Sequence, residues 1–472
     1  MRADSEESSS KTVARDKSLA TCFVVSSVFF GVSLLSVPVP GVNEPHYLSK
    51  ARSFVDPAWC EADFFLQSAD AHAVFFAIVG PLTKWLSFHN AILVGRLLSL
   101  LLLGWGWSVL GRQLRLRASS IVVSACCFCL IAMTGNFSGE WVIGGFESKV
   151  PAYACALAAV AYWLQAWSTS KKTHYAISGI MAGLAVSWHP VVGLWFCIGI
   201  AITEILRLVK SGDSKQLLKS RFRQTLSNGC VFTLVSFLFA LPGLLPVLKV
   251  LQSKTLPPEK VNQANYIQVF WRLAHHLDPS TFPRKAWIHT GVLCCICVIG
   301  LLLLNRFQRG QSIDAKPTSP DADKHNSRAW RPLLGLLLAA ALTAAVGVAI
   351  GWHDGPALKS PNWQQKAMLL KFYPFRFFDA LLPIITSFVL AKLAVNLLPN
   401  KIRKGAVLLL VPLTLYAGFL IRPVAPRGYT AETFAAWKQA CQWIKSVSYT
   451  HLRAHETKAN LVCRLLLEKK KK

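Results

Sequence analysis

The chain has 472 residues, of which 53% are hydrophobic and only 16% charged, with 16 Trp. Its mean hydropathy of +0.40 excludes a disordered chain and an ordinary soluble domain. A formal charge of +28, from 51 Lys+Arg against 23 Asp+Glu, would point to an acidic partner such as nucleic acid, unless the cations mark one side of a membrane.

The reading is an all-α, polytopic transmembrane protein. Residues 1–18 form a polar leader containing Lys11, Arg15 and Lys17. Apolar runs long enough to cross about 30 Å of hydrocarbon follow near residues 19–37, 90–111, 118–134, 150–168, 226–251, 286–304, 332–352, 372–397 and 404–422. The first lacks a convincing small-residue cleavage site and reads as an uncleaved anchor. Residues 175–207 are too long for one span and are interrupted by Ser187, Trp188, His189 and Pro190. Two short spans meeting at His189-Pro190 are therefore expected, about eleven crossings in all.

Lys and Arg segregate accordingly. With the N-terminus cytoplasmic, the inner segments carry Arg112, Arg115 and Arg117, then Lys171 and Lys172, then Lys210 to Arg223, then Arg306 to Arg331, then Lys401, Arg403 and Lys404. This is the pattern of loops retained inside by positive charge, and it removes the need for nucleic acid. Residues 71–88 are also apolar, but counting them as a span would invert every later loop. They read as a membrane-surface or re-entrant segment within a large first outer loop, 38–89, with a twelfth span as the alternative. Residues 305–331 read as a flexible cytoplasmic linker. Most of the 13 Cys lie in spans, and their spacing suggests neither a zinc site nor a disulfide framework.

The last 26 residues stand apart. Val447 to Thr457 and Leu461 to Lys472 resemble a translated sequencing adapter, and residues 447–472 are set aside from fold reasoning. They hold seven Lys and Arg against two Glu, so +5 of the +28 lies there and +23 on the rest. Residues 423–446, with Phe434, Trp437, Cys441 and Ile444 at helical spacing, read as the start of an outer domain that is expected to continue in the native protein.

Chemistry is expected on the outer face. Five acids, Glu44, Asp56, Glu61, Asp63 and Asp70, crowd the first outer loop. Asp56 and Glu61 read as simply solvated. Glu44 stands at the exit of a span beside His46 and Tyr47, where a carboxylate is costly unless used. The second outer loop holds Glu140 and Gly144-Gly145-Phe146-Glu147-Ser148-Lys149, with Glu147 and Lys149 offered as a charge pair and the glycines as either a tight turn or a substrate contact. In the third, His275 and His276 are expected on different helix faces, which argues against one metal held by both. Arg376 and Asp379 are three apart and can pair on one helix face; if Arg376 instead faces a cavity, it suits a phosphate. Arg96 is open between snorkelling to headgroups and a site role.

The first span followed by Asn43-Glu44-Pro45-His46-Tyr47, the interfacial segment after Asp70 and His72, Gly95-Arg96-Leu97-Leu98 and the later outer acids together resemble the C-type integral membrane glycosyltransferases (the GT-C superfold), in particular uncharacterised bacterial members. The resemblance covers most of residues 15–445. It implies transfer of a sugar from a polyprenyl-phosphate carrier to an acceptor at the outer face, with a first-loop acid as catalytic base or organiser. Glu44 matches that position, and Asp63 and Asp70 join it as catalytic candidates. Substrate-binding candidates are His46, Tyr47, His72, Arg96, Glu147, Lys149, His275, His276 and Arg376. Many relatives have a paired acid where this chain has Asn43, which leaves a divalent cation open; no metal ligands are assigned. The resemblance implies a bacterial plasma membrane, lipid and lipid-linked sugar as partners, and an acceptor of unspecified chemistry. The alternatives are a multi-span transporter or a non-catalytic membrane protein.

Overall fold

A computed structural model describes residues 2–209, 215–252, 257–314, 330–423 and 430–446. The adapter-like tail and most of the 305–331 linker lie outside the described residues. Every regular element among those described is helical. In chain order the helices are α1 (Arg2–Ser36), α2 (Glu44–Val55), α3 (Ala73–Trp85), α4 (Phe88–Gln113), α5 (Ala118–Thr134), α6 (Lys149–Thr169), α7 (Lys172–Trp188), α8 (Pro190–Val209) and α9 (Lys215–Gln252). There follow α10 (Pro258–Tyr266), running into a π turn (Ile267–Arg272), then α11 (Ala274–Leu277), α12 (Arg284–Asp314), α13 (Trp330–Gly351), α14 (Trp363–Leu370), α15 (Arg376–Leu397), α16 (Asn400–Leu420) and α17 (Ala431–Ser446).

Eight helices are long and apolar enough to cross a membrane; they lie in α1, α4, α6, α8, α9, α12, α13 and α15. The other three expected crossings fall on shorter helices, α5 and Gly405–Leu420 of α16 and the 17-residue α7. The chain is thus an all-α polytopic membrane protein. The break at 189 is where the sequence puts it. His189 is extended (φ −148°, ψ 100°), and Pro190 opens α8 because a residue without an N–H fits the first turn and not the interior of a helix. α3 has 13 residues, about 20 Å at 1.5 Å per residue, short of the hydrocarbon thickness. It packs on α2.

α4 lies against α1 and α6, α6 against α7, α7 against α9, and α5 against α15. Trp107 is fully buried at their centre, stacked on Phe388 at 4.5 Å and edge-on to Phe29 at 5.5 Å. Its Nε1–H donates to Ser124 Oγ at 2.9 Å, so the polar handle of a large buried ring is satisfied. Close approach of α4 and α6 depends on Gly106, where an added Cβ would lie 2.4 Å from the Ala154 carbonyl oxygen. Such small-residue contacts hold helices together in lipid. Gly106→Ala is expected to cost about 1–3 kcal/mol, the usual range for overpacking; a thermal unfolding midpoint in detergent equal to wild type would refute it.

The segments that the charge pattern assigns to the outer side gather at one end of the bundle. Phe146 meets Glu44, Phe137 meets Asp379, His276 meets Ser138 and Asp278 meets His353. That end holds the polar cluster described next.

Candidate functional site

Glu44 and Arg96 form a closed pair. Both side chains have zero exposure. Arg96 Nε and Nη2 donate to Glu44 Oε1 and Oε2 at 2.7 and 2.8 Å, the bidentate geometry that suits guanidinium to carboxylate. Remaining donors of Arg96 reach the carbonyls of Ser33, Val37 and Pro38. Glu44 also accepts from the backbone N–H groups of Gly41 and Phe146. Gly145 permits this approach, since a Cβ there would lie 3.0 Å from the Glu44 carboxyl. Arg96 therefore does not snorkel. The pair joins α1, α2, α4 and the loop before α6, and both carboxylate oxygens of Glu44 are occupied.

A second cluster adjoins it. Lys149 and Arg376 are the first residues of α6 and α15, and neither helix has a side-chain N-cap. Cations at helix N-termini oppose the macrodipole, so their burial here asks for compensation. Glu140 supplies part of it. Arg376 Nε lies 2.6 Å from Glu140 Oε2, although the angle leaves Nε without a formal hydrogen bond. Lys149 Nζ lies 3.6 Å from both Glu140 Oε1 and Glu147 Oε2 and 3.6 Å from the centre of the Trp141 ring. Tyr153 donates to Glu140 Oε1 at 3.1 Å, Asn43 Nδ2 to Glu147 Oε1 at 2.8 Å, and Arg376 lies 4.0 Å over the Tyr373 ring.

The two carboxylates differ. Burial raises the Glu140 carboxyl, but Arg376 and Lys149 outweigh it and hold the group below its ordinary value. For Glu147 burial wins over Lys149 and Asn43, and its pKa is raised. Burial also holds His72 down to about 4, with Arg376 adding to the effect, and His276 down to about 4 despite the Ser138 carbonyl. Both histidines are neutral at pH 7. Within this cluster the positive charge is Lys149 and Arg376 plus two helix starts without side-chain caps, set against Glu140 and Glu147.

The remaining candidates divide. Tyr47 and His72 border the cluster; their rings lie 5.5 Å apart, and both reach toward Ser148 Oγ, at 3.5 and 3.4 Å. Burial pushes the Tyr47 phenol up. His72 also faces His189 at 4.8 Å. His276 donates from Nδ1 to the Ser138 carbonyl at 2.5 Å. The His275 and His276 rings are 4.0 Å apart, closer than separate helix faces would place them, because α11 is a single turn. Three candidates stand away from the cluster. His46 is exposed against Phe65, Asp63 caps a turn by accepting from the Leu66 N–H at 2.9 Å, and Asp70 pairs with Lys50 at 3.0 Å. The glycines at 144 and 145 serve packing, against Trp141 and Glu44.

Arg376 and Asp379 do not pair with one another. Asp379 instead accepts the backbone N–H groups of Phe137, Ser138 and Glu140 at 2.6, 2.8 and 3.0 Å and the Ser138 hydroxyl at 3.0 Å. It thereby fixes the loop that presents Glu140 to Arg376. Asp379→Ala is expected to leave three buried N–H groups unsatisfied at about 1–3 kcal/mol each, and amide hydrogen exchange should show residues 136–140 opening; unchanged protection there would refute this. Sequence reasoning did not assign roles to Glu140, Tyr153, Tyr373 and His189. Tyr373 carries a signal only the backbone shows, a φ of +56° in the turn that delivers Arg376.

No group of three or more His, Cys, Asp or Glu among the described residues is placed to hold a metal ion. Compared with known proteins, the chain matches no family model and no curated protein.

Proposed function

We propose that this protein is a membrane glycosyltransferase that moves a sugar from a polyprenyl-phosphate carrier to an acceptor at the outer face of a bacterial plasma membrane. One observation carries the reading: two cations at uncapped helix starts, Lys149 and Arg376, share a buried cluster with a carboxylate of raised pKa, Glu147. The cations suit the phosphate of a lipid carrier, whose prenyl chain stays in hydrocarbon while its head sits at the level where the spans end. Glu147 suits a general base. In the step, the acceptor hydroxyl gives its proton to Glu147, its oxygen bonds to the anomeric carbon, and the bond from that carbon to the phosphate oxygen breaks. The electron pair leaves with the polyprenyl phosphate, whose added negative charge Arg376 and Lys149 stabilise. Glu44, held by Arg96, positions the loops around the site. The layout resemblance to C-type glycosyltransferases supports the same reading.

The test is transfer by the full chain reconstituted in vesicles with a panel of radiolabelled polyprenyl-phosphate sugars. Label moving from carrier to an acceptor fraction is expected for at least one donor. No transfer from any donor in the panel, with the protein folded, would overturn the proposal.

A further inference from the structure

We propose that the cap made of α10, the π turn and residues 352–373 binds the headgroups of anionic phospholipids. These segments form one packed layer at the site end. Tyr266 meets Trp363 at 5.6 Å, Phe270 meets His353 at 5.7 Å, and His353 Nε2 lies 3.1 Å from Asp278 Oδ2. The exposed charge of these segments is mainly basic. Lys260, Arg272 and Lys359 are exposed and Lys371 half-buried, while Asp278 is buried and engaged by His353, leaving Glu259 and Asp354 as the exposed acids of these segments.

This sign is unexpected at this end. The first outer loop is acidic, and short loops translocated across a membrane are ordinarily poor in Lys and Arg. Cations kept there against the topological preference need another use. Large apolar side chains interleave with them: Trp271 is 72% exposed, Leu358 55%, Phe372 55% and Trp352 50%. A soluble polyanion would use the charges and leave these rings in water. A leaflet uses both, with rings at the headgroup level and cations on the phosphates. Lys371 stands two residues before Tyr373, so the basic rim is continuous with the edge of the polar cluster, and anionic headgroups would sit beside it.

The experiment places the full chain in nanodiscs containing phosphatidylglycerol or phosphatidylcholine, each carrying a photoreactive group near the headgroup, and maps cross-linked peptides by mass spectrometry. Phosphatidylglycerol is expected to label residues 258–272 and 352–373 several-fold more than phosphatidylcholine. The combined Lys260→Gln, Arg272→Gln, Lys359→Gln and Lys371→Gln variant should abolish the difference, at up to roughly fivefold per cation removed. Equal labelling by the two lipids would overturn the proposal, as would a preference that survives in the variant. Equal labelling combined with displacement by soluble polyphosphate would assign the patch to a soluble polyanion instead. Gel filtration of the variant as a single species guards against misfolding, and no outcome depends on sugar transfer.

Discussion

Glu147→Gln is expected to lower sugar transfer by 10²–10⁴-fold, the range that general base catalysis supplies, while leaving the folded protein intact. Gln keeps the shape and can still accept from Asn43, but it cannot take a proton. The pH profile gives the sharper test. The base works as carboxylate, and burial holds the Glu147 pKa above its ordinary value. Transfer by wild type should therefore rise with pH through a limb lying above the usual carboxylate range. Glu147→Gln should lose that limb together with its rate. If the variant falls in rate but keeps the wild-type profile, the titrating group is another residue and Glu147 serves structure alone.

Stability should depend on the two carboxylates in opposite directions. A carboxyl raised on folding, Glu147, favours the fold most when protonated, and that contribution fades as pH rises through its folded value. Glu140 is lowered on folding, so its contribution is present above the unfolded value and fades as pH falls through the depressed one. A catalytic limb and an acid-unfolding limb at different pH are then expected in the same protein. Thermal midpoints collected across pH separate them from activity.

What was legible in the sequence and what was not follows from the range of the interactions. Long apolar runs report the lipid locally, so the spans in α1, α4, α6, α8, α9, α12, α13 and α15 stood out, as did the break at His189-Pro190, where a proline ends one helix and starts the next. The site depends on pairings distant in sequence. Local spacing suggested Arg376 with Asp379, yet Asp379 bonds residues up to 242 positions away and Arg376 turns to Glu140. A single acid in a glycine-containing loop gives no sign of such a partner. Glu44 is a second case. Its position at a span exit suggested a catalytic carboxylate, and nothing near it in sequence shows that Arg96, 52 residues on, closes both of its oxygens into an ion pair.

Arg96→Met is expected to destabilise the protein by about 3–5 kcal/mol, because it leaves Glu44 as a buried charge without its counterion. Adding Glu44→Gln should recover part of the loss, since a neutral amide keeps an acceptor for the Gly41 or Phe146 N–H and no longer carries an uncompensated charge. A double variant no more stable than Arg96→Met in denaturant unfolding would show that the pair is not the coupled unit its geometry indicates. The double variant also separates the two roles open to Glu44. As a positioning residue whose oxygens are engaged by Arg96 and two backbone N–H groups, it can be replaced with modest loss once the charge is balanced, and transfer by the folded double variant should stay within about tenfold of wild type. A catalytic base cannot be replaced by an amide at any stability, and a loss of 10² or more in the folded double variant would return the chemistry from Glu147 to Glu44.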